Sequence, residues 1–300
     1  MIYLPENPFT WGVLFAVGAV IGSFLNVVIY RWPRQESIVH PPSHCMSCGA
    51  RLSALDLVPI LTYVLSRGRC RHCHHSYSPR YAFVELLTGL VLVGAVGATG
   101  LGLSWHAVLI FVVCCCLIVI FFIDLDHMII PDELVIVIVV AGIVLNAYHL
   151  VHPEFGIGGL RPEVVAGEYP VTRALVFTQE IAGRNHTAFL PASIVGIALG
   201  GGLFMFTSWF FEKLFHKPVM GFGDVKLAAG MGSLFGPGYL FGAWFLISVV
   251  IGAVVSVFLM ALRIRKRGEY IPFGPMLAAG GILLLLFPEV GAMVISRYQY

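Results

Sequence analysis

Charge is scarce in this chain. Asp, Glu, Lys and Arg make up only 11% of its 300 residues, against about 25% in a soluble globular domain. That deficit excludes an ordinary soluble fold. With 58% hydrophobic residues and a mean hydropathy of +0.89, the composition specifies a polytopic membrane protein. The lipid bilayer is therefore its first partner. The formal net charge is only +2, so no nucleic acid is expected to bind. Basic residues are missing from the opening stretch "MIYLPENPFTW". It lacks the basic n-region of a cleaved signal, and the first apolar run is expected to be a retained span. No internal repeat or low-complexity tract stands out.

What is abundant is apolar sequence in runs of about 20 residues, the length a helix needs to cross a bilayer. The runs fall roughly at 10–31, 81–100, 104–123, 132–151, 187–211, 224–237, 239–262 and 273–295. The sixth is short and glycine-rich, so the count is eight, or seven if that run is re-entrant. Lys and Arg set the orientation. Fourteen of the 18 lie at 31–80, 212–226 and 263–267. Only Arg161, Arg173, Arg184 and Arg297 fall on the other side. Eight spans then place both termini outside and the basic loops in the cytoplasm. The fold expected is an all-α membrane protein of about eight spans. Its parts are a first span (1–31), a cytoplasmic segment (32–80) and a transmembrane domain (81–300) with an external loop at 152–186. That loop carries no trusted motif; the sequon-like "NHT" at 185–187 is given little weight.

The seven cysteines divide into two groups. Cys114, Cys115 and Cys116 lie in an apolar run, where free cysteine packs as a small hydrophobe. Cys45, Cys48, Cys70 and Cys73 form two Cys-x-x-Cys pairs in the polar segment. Each pair can offer two thiolates to one metal, and Gly49 stands where the first knuckle needs positive φ. Four thiolates suit a closed structural Zn²⁺ site. A cytoplasmic location disfavours disulfides. An iron–sulfur cluster and a redox dithiol are the alternatives. His44, His72, His74 and His75 flank the knuckles and are read as solvated. Metal binding can supply folding energy that a segment of about 50 residues lacks.

Acidic residues are costly at membrane depth and mark sites when retained. In "FFIDLDHMIIPDEL", Pro131 ends one helix and suits the first turn of the next. Asp124 then sits at the cytoplasmic end of span three, with Asp126 and His127 in the following turn. Asp132 and Glu133 suit a helix start. In "GFGDVK", Asp224 opens span six, and Gly221 and Gly223 permit close approach or unusual φ. Two acids from separate spans thus end at one depth on one side. A close carboxylate pair shares a proton; one member can activate water while the other polarises a peptide carbonyl. On these residues alone, an aspartic protease and a proton-coupled transporter both remain open. Transporters often show paired inverted repeats with broken helices, which this sequence does not display.

Six stretches, in order, carry a resemblance: "GSFLNVVIYRWPR", "PPSHCMSCGARLSALDLVPILTYVLSRGRCRHC", "SPRYAFVELLTG", "FIDLDHMIIPDEL", "GFGDVKLAAGMG" and "IPFGPMLAAGG". Together they span almost the whole chain, which resembles the bifunctional type IV prepilin peptidases of the bacterial inner membrane. The resemblance implies that Asp124, seven residues before Pro131, and Asp224, in the Gly-x-Gly-Asp motif of Gly221 and Gly223, are catalytic. It implies cleavage of the basic leader of type IV prepilins or type II secretion pseudopilins, after a glycine, at the cytoplasmic membrane face. It also implies methylation of the new N-terminus from S-adenosyl-L-methionine by members that carry the four-cysteine segment. For that second activity Glu85 and Asn26 are candidates; Ser23 and Asn26 also suit hydrogen bonds between helices. Lys226 is expected to anchor the interface or bias Asp224. The loop at 152–186 is longer than the family connection.

Overall fold

The computed structural model describes residues 7–99, 102–151, 174–181, 184–216, 220–262 and 272–291. Most of the 152–186 loop and the basic stretch 263–267 lie outside them, as do Lys217 and Arg297. Among the described residues the helices are α1 (Pro8–Arg31), α2 (Leu61–Ser66), α3 (Arg80–Thr99), α4 (Trp105–His127), α5 (Asp132–Val151), α6 (Ala192–Phe215), α7 (Phe222–Phe235), α8 (Tyr239–Ala261) and α9 (Gly274–Leu286). All but α2 coincide with the eight apolar runs. Five of them, α1, α3, α4, α6 and α8, are long and apolar enough to cross a membrane. Helix α7 has 14 residues and α9 has 13. At 1.5 Å per residue each is roughly 20 Å long, short of the ~30 Å hydrocarbon thickness.

Three boundaries differ from expectation. Helix α4 runs on through Asp126 and His127 and stops at Met128, so these two occupy its last turn instead of a loop. The fifth run begins as strand: β1 (Ala174–Ile181) pairs antiparallel with β2 (Arg184–Pro191), which takes residues 187–191 out of the helix. The last run is helical only from Gly274 to Leu286 before it is interrupted at Phe287. The helical class holds, with this one hairpin added.

Packing in a membrane depends on close approach, since lipid tails offer no hydrophobic drive between helices. The seams here are lined by small residues. Gly18 and Gly22 of α1 face Gly89 and Glu85 of α3. Gly196 of α6 meets Gly232 of α7 backbone to backbone, and Gly142 of α5 meets Ser233 of α7. Asn146 Nδ2 donates to Ser233 O at 2.9 Å across the α5–α7 seam. Helix α4 is the central element. Most of its inward side chains, including Leu117, Ile118 and Ile120, are fully buried, as is Cys114. Cys114 and Cys116 are thus packing residues.

Two packed groups result. Helices α1, α3 and α4 lean on one another, and α5, α6 and α7 form the second group. Helix α9 bridges them, packing on α4, α3, α7 and α8. The ends of α1, α4 and α6 and the starts of α3, α5, α7 and α9 gather at the face from which residues 32–79 emerge.

Candidate active site and four-cysteine cluster

Asp124 lies in the last turn of α4 and Asp224 in the first turn of α7. Both are almost completely buried, at 6% and 5% exposure, at the same end of the bundle. Ile130 links their surroundings: Gly274 meets Asp124 and Ile130, and Gly223, next to Asp224, meets Ile130. The local sequence explains the placement. Met128 adopts φ 57° and its N–H bonds Asp124 O at 2.9 Å, a left-handed cap that satisfies an end carbonyl. Pro131 then precedes α5, and its carbonyl receives Val135 N–H. Gly221 caps α7, its carbonyl accepting the Asp224 N–H at 3.1 Å. An acid in a first turn suits the helix dipole, but a simple cap has no need of burial to 5% exposure.

Three residues shape the floor. The Asp124 carboxylate faces the backbone amide of Gly274, the first residue of α9. A β-carbon at Gly274 would stand 2.5 Å from Asp124 Oδ2 and 3.0 Å from Ile130 Cδ1. A β-carbon at Gly223 would stand 3.1 Å from Ile130 Cβ. Gly223 thus lets α7 approach Ile130 closely. Gly221 has an ordinary extended backbone, φ −71°, so unusual φ is not the role of either glycine.

Ion pairs brace the pair from both sides. Lys226 Nζ bonds Asp132 Oδ1, joining α7 to the start of α5. It does not engage Asp224. Arg80 Nη1 bonds Asp126 Oδ2 at 2.6 Å, and Arg80 Nη2 donates to Phe122 O at 3.3 Å, joining α3 to the end of α4.

In the 32–80 segment, Cys45, Cys48, Cys70 and Cys73 place all four Sγ atoms within 4.8 Å of one another. The Cys45–Cys73 separation is 3.8 Å. Tetrahedral thiolates at 2.3 Å from Zn²⁺ are about 3.8 Å apart. The two knuckles have the same design. Gly49 N–H bonds Cys45 O and His74 N–H bonds Cys70 O; Gly49 has φ 69° and His74 φ 55°. Short antiparallel bridges, His44 with Arg51 and Arg69 with Ser76, flank them. The amide groups of Cys48 and Ser47 hold the Cys45 thiol down to about 6. Cys73 is pushed up to about 11: the His75 amide favours its thiolate, but desolvation and the neighbouring thiols outweigh it. Four thiolates this close need a cation among them. The donor set, spacing and amide dipoles fit one metal ion, and the spacing is too tight for a multi-iron cluster. None of the four histidines joins the group; His44 Nδ1 instead contacts Pro42 O at 3.1 Å.

The two other candidates, Glu85 and Asn26, line one cavity of about 590 Å³ between α1, α3 and the cysteine segment. Asn26 Nδ2 donates to Tyr81 O at 3.0 Å, so it ties α1 to the start of α3. Glu85 Oε2 accepts the Ile60 N–H at 2.8 Å, with Ser23 beside it. Ile60 is held at φ 60°, an uncommon and strained conformation for a β-branched residue.

A model of the bacterial peptidase A24 N-terminal domain matches residues 16–98. A model described as the type IV leader peptidase family matches residues 111–162 and 170–257. A protein of Aeromonas hydrophila named prepilin leader peptidase/N-methyltransferase is 31% identical over 93% of this chain and 91% of its own length. The chain belongs to the type IV leader peptidase family. Proteins of the same name from Stutzerimonas stutzeri and Pseudomonas aeruginosa are 28% and 27% identical, each over 96% of this chain and 94% of its own length. No solved structure matches. Sequence reasoning did not assign roles to Gly274, Ile130 or the Arg80–Asp126 pair. The "IPFGP" stretch was a signal for the first, since a glycine beside a helix-starting proline permits a close backbone contact.

Proposed function

We propose that this leader peptidase family member cleaves the basic leader of type IV prepilins or type II secretion pseudopilins and methylates the new N-terminus. The observation that carries the peptidase reading is the buried pair of Asp124 and Asp224 on separate helices at one end of the bundle. The proposed location is the bacterial inner membrane, with that end, the cysteine segment and the active face in the cytoplasm. The parts are the first span 1–31, the segment 32–80 and the peptidase domain 81–300. A transporter reading has no support in the fold or the relatives.

In the proposed reaction one carboxylate takes a proton from water as the oxygen attacks the scissile carbonyl carbon. The other gives its proton to the carbonyl oxygen. Collapse of the tetrahedral species breaks the C–N bond, and the amine leaves with a proton. Burial of both acids keeps bulk water from screening these transfers. The substrate's apolar helix lies along the bundle, and its leader stays outside the bilayer. A glycine before the cut leaves the approach of the two acids open.

For the second activity, Cys45, Cys48, Cys70 and Cys73 would hold a structural Zn²⁺ that keeps the two knuckles together. Glu85 and Asn26 form the floor of the adjoining cavity, with Asn26 positioning α3 and Glu85 supplying a fixed carboxylate. When bound, S-adenosyl-L-methionine supplies an electrophilic methyl group to the amine lone pair and departs as the neutral thioether. Co-expression with a prepilin, followed by the mass of the pilin N-terminus, tests both readings. Leader removal with an added methyl group is expected. Uncleaved prepilin would overturn the peptidase reading, and a cleaved but unmethylated product would overturn the second.

A further inference from the structure

A cavity lies beside the cysteine cluster. Its volume of about 590 Å³ falls within the roughly 300–1,000 Å³ of small-molecule sites. Glu85 contributes a half-buried carboxylate to its floor. That carboxylate meets neutral groups, the Ile60 amide and Ser23, and among the described residues no ion pair engages it. Of the other charged groups on the lining, Arg71 Nε pairs with Asp56 at 3.2 Å and Arg31 Nη1 donates to Ser37 O at 2.9 Å, while Arg69 and Glu36 add one charge of each sign.

Tyrosine rings line the same cavity. Tyr63 and Tyr77 have centroids 5.3 Å apart and planes at 83°. Tyr77 and Tyr81 are 6.2 Å apart at 79°. The Tyr77 hydroxyl contacts Ser66 Oγ at 3.1 Å, and the Gly68 backbone lies against the Tyr63 ring, so the first two rings are fixed. Tyr30 is not free for such a role, because the Arg34 guanidinium already lies 3.9 Å over its ring. Tyrosine π-systems at near right angles beside a carboxylate without a counter-ion are suited to an organic cation.

We propose that this cavity binds the methyl donor by its charge, with the sulfonium of S-adenosyl-L-methionine held by Tyr63, Tyr77 and Tyr81 above Glu85. This rests on the methyltransferase reading and assigns it a site. The charge on sulfur disappears once the methyl group has gone. The same cage therefore has less hold on the thioether product and favours its release.

The test is calorimetric titration of the full-length protein in detergent with S-adenosyl-L-methionine and, separately, with the neutral S-adenosylhomocysteine. Tyr77→Leu and Glu85→Gln should each weaken the cation by about threefold to thirtyfold, the range expected for loss of one such contact. The neutral compound should change by less than about twofold, and Tyr77→Phe, which keeps the ring, should retain cation binding. Zinc content of each variant checks that the segment is folded. Equal loss of both ligands, or loss of neither, overturns the cage. Weaker binding of a peptide with a free N-terminal amine, with donor binding unchanged, would make the cavity an acceptor site and also overturn it. Wild-type protein that methylates co-expressed pilin but binds neither compound places the donor elsewhere, while the methyltransferase reading stands. Protein that neither methylates nor binds ends both.

Discussion

Lys226 is ion-paired with Asp132, a residue 94 positions away in the chain. The pair joins the first turn of α7 to the first turn of α5, two residues beyond Asp224. It settles which acid the lysine serves: Asp132, whose side chain is 61% exposed, and not Asp224. An exposed ion pair is worth about 0–1 kcal/mol. Lys226→Ala should therefore lower cleavage less than about tenfold and leave the protein in the membrane. Exchanging the charges (Lys226→Asp with Asp132→Lys) should restore part of the loss. A collapse of cleavage comparable to removal of Asp224, not relieved by the exchange, would mean that Lys226 touches the substrate.

The two buried acids should respond very differently. On the proposed assignment, Asp124→Asn or Asp224→Asn removes one half of a shared reaction. Groups acting as a unit commonly lose at least ~10³-fold when either is removed. Each variant should insert normally and bring cleavage of a co-expressed prepilin below detection. Asp126→Asn should be mild by comparison, because its partner Arg80 also bonds the Phe122 carbonyl. Normal cleavage by either purified dyad variant would dismiss the assignment, and an essential Asp126 beside a dispensable Asp124 would shift the site by half a turn.

Gly274→Ala offers a sharper test of geometry. The new methyl group would meet the Asp124 carboxylate at 2.5 Å and Ile130 at 3.0 Å, so the carboxylate or α9 must shift. Misplacement of a reacting group by about 1 Å can cost roughly 10²-fold in rate. The variant should cleave about 10- to 100-fold more slowly in kcat, with substrate binding little changed. Wild-type kcat would show that Asp124 has more freedom than its packing indicates.

These predictions divide along what a linear sequence can convey. Long apolar runs announce the helices directly, because a bilayer demands them, and the depth of Asp124 and Asp224 follows from where those runs stop. The approach of α9 does not follow. Gly274 lies 150 positions from Asp124, and its contact with the carboxylate exists only once α9 has packed on α4. The end of α4 was misplaced for a local reason. Charges at Asp126 and His127 read as a loop, yet a helix end at the membrane surface tolerates them, and Arg80 pairs with one. The two knuckles were legible because metal spacing is a local pattern. The tyrosine-lined cavity was not, since Tyr63, Tyr77 and Tyr81 come together only when the second knuckle folds back over α1 and α3.

Removal of metal should separate the two activities. The four thiols lie within 4.8 Å of one another, and only a cation lets several of them ionise together. Cys70→Ser with Cys73→Ser removes half the ligands, so metal should be lost or weakly held. The cysteine cluster borders the 590 Å³ cavity, and loosening of the knuckles should disperse that cavity's wall. Asp124 and Asp224 are held on α4 and α7, and α9 packs on both of these helices without the segment. Co-expressed prepilin should then be cleaved but unmethylated, read as a pilin lacking its leader and about 14 mass units lighter than the methylated form. Chelation of the purified protein should leave the chemical step of cleavage intact, with only slow decline as metal departs. Immediate chelator inhibition reversed by Zn²⁺ would instead make the metal part of the peptidase. Equal loss of both activities in a correctly inserted variant would mean that the knuckles also hold the leader. Normal methylation without metal would remove the second activity from this segment.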